Sequence, residues 1–313
     1  MWLQIQLRKL FDILEVEIDS NYFTRKSLMK KNLIIIKSVW VVFILGALLL
    51  YAFENSDEML ATFSGLSMLQ IYLSISLLLV GKLFCIFLVM DSIKLQDFEL
   101  KFQKATYWYS YSDMGKYLPG GIWAIVGRFS LYKETMGAKR SSAAFFAETL
   151  FIIGVPSVIS LILISRTSIF PQIINNITIL LAIFIFIFIF SATIYTASKK
   201  IKRDTRNIIL SRMCISQSIC WTVLLPMSFY VICPDNLMLS HVIAAFNAGF
   251  SAGQLAIFAP SGIGVREFVA NLFVVSSESG NFLTLLITHR FLWVIADIIM
   301  FVVATTFNIK SKG

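Results

Sequence analysis

Three arginines and three carboxylates lie within or beside apolar stretches, where ionisable side chains are costly and usually serve a function. They are Arg128, Arg266 and Arg290, and Glu148, Glu267 and Asp297. A guanidinium carries a fixed fork of donors that matches the oxygens of a phosphate or carboxylate group. The set predicts a site in which the arginines bind an anionic headgroup. The carboxylates are then counter-ions that position the arginines, or a proton relay.

Two of these arginines follow similar interruptions of an apolar run. The stretches "YLPGGIWAIVGR" at 117–128 and "FAPSGIGVRE" at 258–267 both run from an aromatic residue through Pro, a small residue, Gly and Ile to an arginine. A charge follows each at nearly the same offset, Glu148 after the first and Arg290 after the second. Internal repeats with broken helices build the central site of several transporter folds, so the pattern predicts a duplicated site.

The breaks themselves have a chemical use. A helix interrupted inside a membrane exposes N–H groups with a partial positive charge at its new N-terminus, which suits phosphate. We expect Gly120 and Gly121 in the first break, and Ser261 and Gly262 in the second, to open these groups toward the anion. The alternative is that Pro and Gly only kink the helices for packing, while the arginines extend to the membrane interface.

The remaining polar residues in apolar runs are less distinctive. Arg290 and Asp297 are two helical turns apart and share a helix face, so a purely structural ion pair is an alternative there. Lys82, Gln254 and Asn271 are weaker candidates, and the last two also suit simple bonds between helices. The cysteines and histidines have no metal-ligand spacing, so we predict no metal, no cofactor and no catalytic residue.

Composition defines the environment of these residues. The chain has 313 residues, 58% of them hydrophobic and 14% charged, with a mean hydropathy of +0.79. Such a chain has more apolar surface than a soluble domain can bury, which indicates an integral membrane protein. The net charge of +9 lies in short basic clusters between apolar runs, as in cytoplasmic loops of membrane proteins, so no nucleic-acid partner is predicted.

The apolar runs predict an all-α, polytopic helical bundle. A span needs roughly 20 apolar residues, and runs of that length lie at 33–53, 64–90, 143–165, 174–198, 213–233, 240–258 and 282–307. Shorter apolar pieces at 117–132 and 260–277 each follow a Pro/Gly break and form broken or re-entrant segments of an internal repeat. We favour a crossing at 260–277, which gives about seven to eight spans.

The distribution of basic residues sets the orientation. Lys and Arg cluster before the first predicted span and in alternate loops, which places the N-terminus in the cytoplasm of a multi-pass protein. No signal peptide is indicated, because the polar stretch before the first span is too long. We divide the chain into a cytoplasmic segment, 1–32, and a transmembrane domain, 33–313. The former suits either a helix on the membrane surface or an ordered cap.

These motifs resemble those of a known family. "GKYLPGGIWAIVGR", Glu148, "FAPSGIGVRE" and Arg290 are similar to the lysylphosphatidylglycerol synthase transmembrane family, the flippase-like membrane domain of the bacterial multiple peptide resistance factor and its stand-alone relatives. The resemblance covers about residues 33–307, with Ser261 in place of the middle glycine of the second motif. It implies a helical bundle in the bacterial cytoplasmic membrane, with two broken elements around a cavity open to lipid.

The resemblance also bears on activity. It implies movement of a lipid between leaflets, and other relatives are linked to glycosyltransferases and to surface-glycan or isoprenoid-lipid pathways. Synthase activity is not implied, because only a short tail follows Phe307 and leaves no room for the aminoacyl-transfer domain. The resemblance therefore favours a protein that is not an enzyme, and an enzyme is kept as an alternative.

Three functions follow from these observations. The first, which we predict, is a translocase for an anionic phospholipid or a polyprenyl-phosphate-linked glycan in cell-envelope lipid or surface-glycan biosynthesis. The second is a membrane glycosyltransferase or lipid-modifying enzyme that uses Asp113 or Glu134. The third is a non-catalytic partner of a glycosyltransferase that binds through the basic loop 199–212. A homodimer is left open. Without a GxxxxGK[ST] motif, transport is driven by the lipid gradient, by protons through Glu148 or Asp297, or is passive.

Overall fold

The computed structural model describes residues 56–117, 123–164, 205–234, 237–256, 259–273 and 279–310. Every regular element in these ranges is a helix, as predicted. The described ranges contain nine α-helices: α1 Ser56–Gly65, α2 Met68–Lys94, α3 Phe102–Asp113, α4 Trp123–Met136, α5 Ala138–Ile164, α6 Thr205–Tyr230, α7 Leu239–Leu255, α8 Val265–Asn271 and α9 Ser279–Lys310. Two short 3₁₀ turns mark the breaks, the first turn at Met114–Tyr117 and the second turn at Pro260–Gly262.

Within the part of the chain that the structure describes, four stretches of helix are long and apolar enough to cross a membrane. They are Met68–Lys94, Ala138–Ile164, Arg212–Tyr230 and Phe282–Thr306. Each overlaps one of the predicted spans, at 64–90, 143–165, 213–233 and 282–307. Their length and composition support the prediction of a membrane protein.

The full count of spans stays a prediction. The predicted spans 33–53 and 174–198, and the segment 1–32, lie outside the described residues. The predicted span 240–258 corresponds to α7, which has 17 residues and is about 25 Å long. Helix α8 has only 7 residues and is about 10 Å long, too short to cross a membrane alone.

Helix ends differ from the apolar runs because capping residues, not hydropathy, set them. Helix α2 begins at Met68, since the Ser67 hydroxyl accepts a hydrogen bond from the N–H of Gln70 while the Gln70 side chain accepts one from the N–H of Ser67. Helix α6 begins at Thr205, so the second half of the predicted loop 199–212 is helical. Hydropathy therefore locates the apolar part of a helix, whereas a polar first turn of the same helix is predicted as a loop.

Polar and apolar residues are distributed as in a membrane bundle. The side chains of Lys82, Glu148 and Asp297 are buried, at 2%, 1% and 4% exposed. By contrast, one face of α9 exposes only apolar side chains, at Phe291, Ile295, Ile298 and Val302. Their spacing of three and four residues makes one continuous stripe. A stripe of this kind suits contact with acyl chains.

Two close helix contacts depend on glycine. A Cβ at Gly81 of α2 would lie 2.8 Å from the Leu225 side chain of α6. A Cβ at Gly249 of α7 would lie 2.4 Å from the backbone oxygen of Arg266. Gly253, one turn further along α7, faces Gly262 of the second turn. This pattern of small residues lets α8 and the second turn lie directly against the backbone of α7.

Proline within α6 frees a carbonyl that α7 then satisfies. Pro226 has no N–H, so the backbone oxygen of Thr222 loses its partner within the helix. The side-chain amide of Asn247 donates to that oxygen at 3.2 Å. This bond links α6 to α7 in the interior, where an unsatisfied carbonyl is costly.

We expect Asn247→Leu to destabilise the protein more in the native background than in a Pro226→Ala background. Alanine at 226 supplies the missing N–H, so Thr222 no longer needs Asn247. A double-mutant cycle on thermal unfolding in detergent should give a coupling energy of about 1 kcal/mol. Additive effects of the two changes would contradict this account of the kink.

Candidate functional site

A cavity of about 180 Å³ lies between the two broken segments. Residues of α2 to α9 and of the second turn contribute to its wall, together with Lys116 of the first turn. The first and second turns also contact each other. Lys82, Glu148 and Asp297 each lie about 15 to 20 Å from the nearer end of their helices, at about 1.5 Å per residue. These three charges therefore lie near the middle of long helices rather than at their ends.

The first ion pair joins Arg128 of α4 to Glu148 of α5. The Tyr132 hydroxyl donates to the other oxygen of Glu148 at 2.7 Å. Arg128 Nε donates to Ser112 Oγ of α3 at 2.9 Å, and the guanidinium lies over the Tyr109 ring at 4.7 Å. Neighbours from two other helices, α3 and α5, thus fix Arg128.

The second ion pair joins Arg290 of α9 to Glu267 of α8, with 2.7 Å between Arg290 Nε and the carboxylate. Arg290 also donates to Ser261 in the second turn, at 2.9 Å to its backbone oxygen and 3.3 Å to its hydroxyl. The other oxygen of Glu267 accepts the N–H of Gly264 at 2.8 Å. This pair ties α9 to the second break.

The two ion pairs have opposite polarity. In the first, the arginine lies on the helix after the break and the glutamate on the long helix that follows. In the second, the glutamate (Glu267) lies after the break and the arginine (Arg290) on the long helix. The partners are 20 and 23 residues apart, respectively. The matched offsets in the sequence therefore correspond to matched ion pairs with exchanged charges.

A third group, the lysine cluster, lies at the first turn. It consists of Lys82, Lys116, Asp113 and Asp297. Lys116 Nζ is 2.7 Å from a carboxylate oxygen of each aspartate. Lys82 forms an ion pair with Asp297 and lies 3.6 Å from Asp113. The Tyr117 hydroxyl donates to Asp297. Two cations and two carboxylates make the cluster neutral.

Asp297 differs from expectation, because it pairs with lysines rather than with an arginine. It shares a face of α9 with Arg290, but two turns separate them by about 10 Å along the helix axis. Arg290 therefore reaches the second turn, while Asp297 reaches Lys116 at the first turn. Periodicity gave the shared face correctly and could not give the partners.

Arg266 differs from the other two arginines, because it contacts aromatic rings and has no carboxylate partner among the described residues. Its side chain is 6% exposed and its guanidinium carbon lies 4.5 Å from the ring centres of Phe246 and Trp293, and 5.0 Å from that of Phe250. Among the residues that the structure describes, no carboxylate forms an ion pair with it and no group accepts a hydrogen bond from it. Aromatic faces hold this cation in place without neutralising it.

The second break does not present free amides as we expected. The Gly264 N–H at the start of α8 is taken by Glu267, a residue of the same helix. Ser261 and Gly262 adopt positive φ of 53° and 66°, so they make the sharp turn rather than an open N-terminus. Gly120 and Gly121 of the first break lie outside the described residues.

Most of the predicted site residues meet at the cavity. Its wall includes Arg128, Glu148, Ser261, Gly262, Arg266 and Arg290. Glu267 and Asp297 are not part of the wall, but they form ion pairs with the wall residues Arg290 and Lys116, respectively. Of the weaker candidates, Lys82 and Gln254 line the cavity.

Sequence reasoning did not identify Lys116, Tyr117 or the role of Asp113. The signal was present, since Asp113 and Lys116 are three residues apart directly before the first break. Asp113, considered above as a catalytic carboxylate, is ion-paired with Lys116 in the lysine cluster. No group of three or more metal-ligating side chains occurs in the described residues.

The chain matches no known family model, and it matches no curated protein. The class that fold and site define is a helical membrane protein with a buried, cation-rich cavity between two broken segments.

Proposed function

We propose that this protein is an integral membrane lipid translocase that binds an anionic headgroup in the cavity between its two broken segments. The headgroup belongs to a phospholipid or a polyprenyl-phosphate-linked glycan of cell-envelope lipid or surface-glycan biosynthesis. The observation that carries the proposal is Arg266, a buried cation at the cavity wall without a carboxylate partner among the described residues.

The electrostatics of the site favour an anion. A buried cation in an apolar bundle is costly unless a negative group approaches it. The first and second ion pairs and the lysine cluster are each internally neutral, so Arg266 is the group that gains most from a ligand. We assign it direct contact with a phosphate oxygen. Arg128 and Arg290, which their glutamates hold, shape the wall around it.

A lipid suits the cavity better than a soluble anion does. Lys82, Glu148 and Asp297 lie near the middle of apolar helices, and the same helices carry exposed apolar side chains. Ile125 and Gln254 both line the cavity and are exposed, so an apolar and a polar side chain flank its mouth. That combination fits the junction between a headgroup and its acyl chains.

The motif resemblance points the same way. The lysylphosphatidylglycerol synthase transmembrane family, to which the two motifs are similar, contains flippase-like domains. The proposal therefore places the chain in the bacterial cytoplasmic membrane as a multi-pass protein with a cytoplasmic N-terminus. Glu148 and Asp297 are then counter-ions within this path and candidates for a proton relay.

The test is translocation by purified protein in phosphatidylcholine liposomes that contain fluorescent phosphatidylglycerol. A reducing agent added outside quenches only outer-leaflet label, so the rate at which protected label is lost measures movement. We expect the native protein to move the lipid and Arg266→Gln to be slowed by about tenfold or more, the value of a lost charge-assisted hydrogen bond.

Arg266→Gln is a sharper variant than the loss of Arg128 or Arg290, because it leaves no carboxylate without its partner. Lys139→Gln is the matched control, since it removes an exposed cation from the first turn of α5. Native rates in Arg266→Gln, with the control also native, would refute the assignment of the phosphate contact to Arg266. A native protein that moves no lipid would refute the proposed function.

A further inference from the structure

The net charge of the residues around the cavity determines how much negative charge on a ligand they can neutralise. Three groups of the described residues are neutral in themselves: the first ion pair, the second ion pair and the lysine cluster. Arg266 then adds one cation without a carboxylate partner in that part of the chain. The described site therefore carries a single uncompensated positive charge.

From this count we infer that the cavity selects a compact headgroup with one negative charge, a phosphodiester, over a dianionic phosphate monoester or a pyrophosphate. The inference rests on the proposed function and names its substrate class. A phosphodiester keeps one charge at neutral pH and neutralises Arg266. A second charge on the ligand has no free cation to meet among the described residues of the cavity wall. The other cations there are Lys82, Lys116, Arg128 and Arg290, and each already contacts a carboxylate.

The net charge of the site matters because its charged side chains are buried. The side chains of Arg266, Glu267, Glu148 and Asp297 are no more than 6% exposed, so water screens their charges poorly. An excess charge brought into this space must either stay unpaired or take a cation from one of the neutral groups. Both outcomes are costly in an apolar bundle.

The size of the cavity narrows the class further. About 180 Å³ is less than the roughly 300 Å³ at the low end of pockets for drug-sized ligands. Such a space suits a phosphate with a small alcohol, as in a glycerophospholipid, rather than a chain of sugars. Of the two lipids named in the proposed function, the size of the cavity favours a phospholipid over a polyprenyl-phosphate-linked glycan.

Ligand binding to the purified full chain in detergent tests the inference. The probes are short-chain phosphatidylglycerol (a phosphodiester), phosphatidic acid with the same chains (a monoester) and a polyprenyl pyrophosphate. Binding is followed by fluorescence of tryptophan, because Trp221 and Trp293 line the cavity. At pH 8, where the monoester carries a second charge, we expect phosphatidylglycerol to bind about tenfold more tightly than the other two probes.

A variant with one extra positive charge gives the decisive contrast. Glu267→Gln removes one carboxylate, and glutamine still caps Gly264 at this position. We expect its preference to move about tenfold toward phosphatidic acid. Asp297→Asn makes the same change in net charge at the lysine cluster and serves if the first variant does not fold. Glu99→Gln is the matched control, since it removes an exposed carboxylate that does not line the cavity.

The outcomes separate the two proposals. Equal or tighter binding of phosphatidic acid by the native chain, or an unchanged preference in a folded charge variant, overturns the phosphodiester inference and leaves translocation intact. No binding of any of these anionic lipids overturns the proposed function itself. Tightest binding by the polyprenyl pyrophosphate overturns the charge argument, because this headgroup carries more than one negative charge.

Discussion

Glu148→Leu is expected to lower the free energy of unfolding by about 3–5 kcal/mol, and adding Arg128→Met is expected to restore most of it. The single change leaves a guanidinium buried without its counter-ion. It also removes the acceptor of the Tyr132 hydroxyl. The double change replaces the ion pair with apolar side chains of similar volume, which buried sites often tolerate.

The native cysteines supply the measurement. All four are free, and Cys85, Cys214 and Cys233 are buried. A thiol-reactive dye therefore reports thermal unfolding in detergent without an added label. Similar melting temperatures for the native protein and Glu148→Leu would contradict a buried, interacting pair. If the double variant is as unstable as Glu148→Leu alone, the first ion pair is not independent of the other charged groups, which would contradict this account.

The same double variant separates the roles of the arginines. Because Glu148 and Ser112 hold Arg128, we expect the folded double variant to keep measurable translocation of phosphatidylglycerol. Arg266→Gln should keep its stability better than Glu148→Leu and should move phosphatidylglycerol about tenfold or more slowly than the native protein. If the folded double variant lost transport and Arg266→Gln kept it, the direct contact with phosphate would have to be assigned to Arg128 instead of Arg266.

Gly249→Ala is expected to destabilise the bundle, because among the described glycines its added methyl group would make the shortest contact. The new Cβ would lie 2.4 Å from the backbone oxygen of Arg266 and 2.9 Å from the Ala270 side chain. Backbone cannot yield as a flexible side chain does, so α8 must move away from α7. Overpacking of this kind costs about 1–3 kcal/mol.

The displacement also affects the site, since α8 carries both Arg266 and Glu267. We expect Gly249→Ala to bind phosphatidylglycerol at least about tenfold more weakly, through loss of both the Arg266 contact and the geometry of the second ion pair. Gly65→Ala is the matched control, because nothing lies within 4 Å of a Cβ there. Native binding by Gly249→Ala would show that the close contact of α7 with α8 does not position Arg266.

Much of the architecture could be predicted because the features that specify it are local. About twenty consecutive apolar residues are enough to indicate a span, and four such predictions coincide with apolar helices. Pro260 with Gly262 indicated a break, and a turn occurs there. The exact starts of α2 and α6 were not predicted, since they depend on a capping box and on polar first turns.

The sequence by itself determined which residues are costly to bury, and that two Pro/Gly breaks precede the arginines. Residue type and spacing suffice for that, since a buried charge is expensive whatever its neighbours are. Only the tertiary structure decided which charges neutralise one another. Tyr117 and Asp297 are 180 residues apart in the chain, and Gln70 meets a backbone oxygen 161 residues away. Periodicity holds no information on such distant partners, so it could not distinguish Arg266 from Arg128 and Arg290. Packing of α8 and α9 against α7 and the first turn left Arg266 facing the cavity on aromatic rings while the carboxylates met other cations.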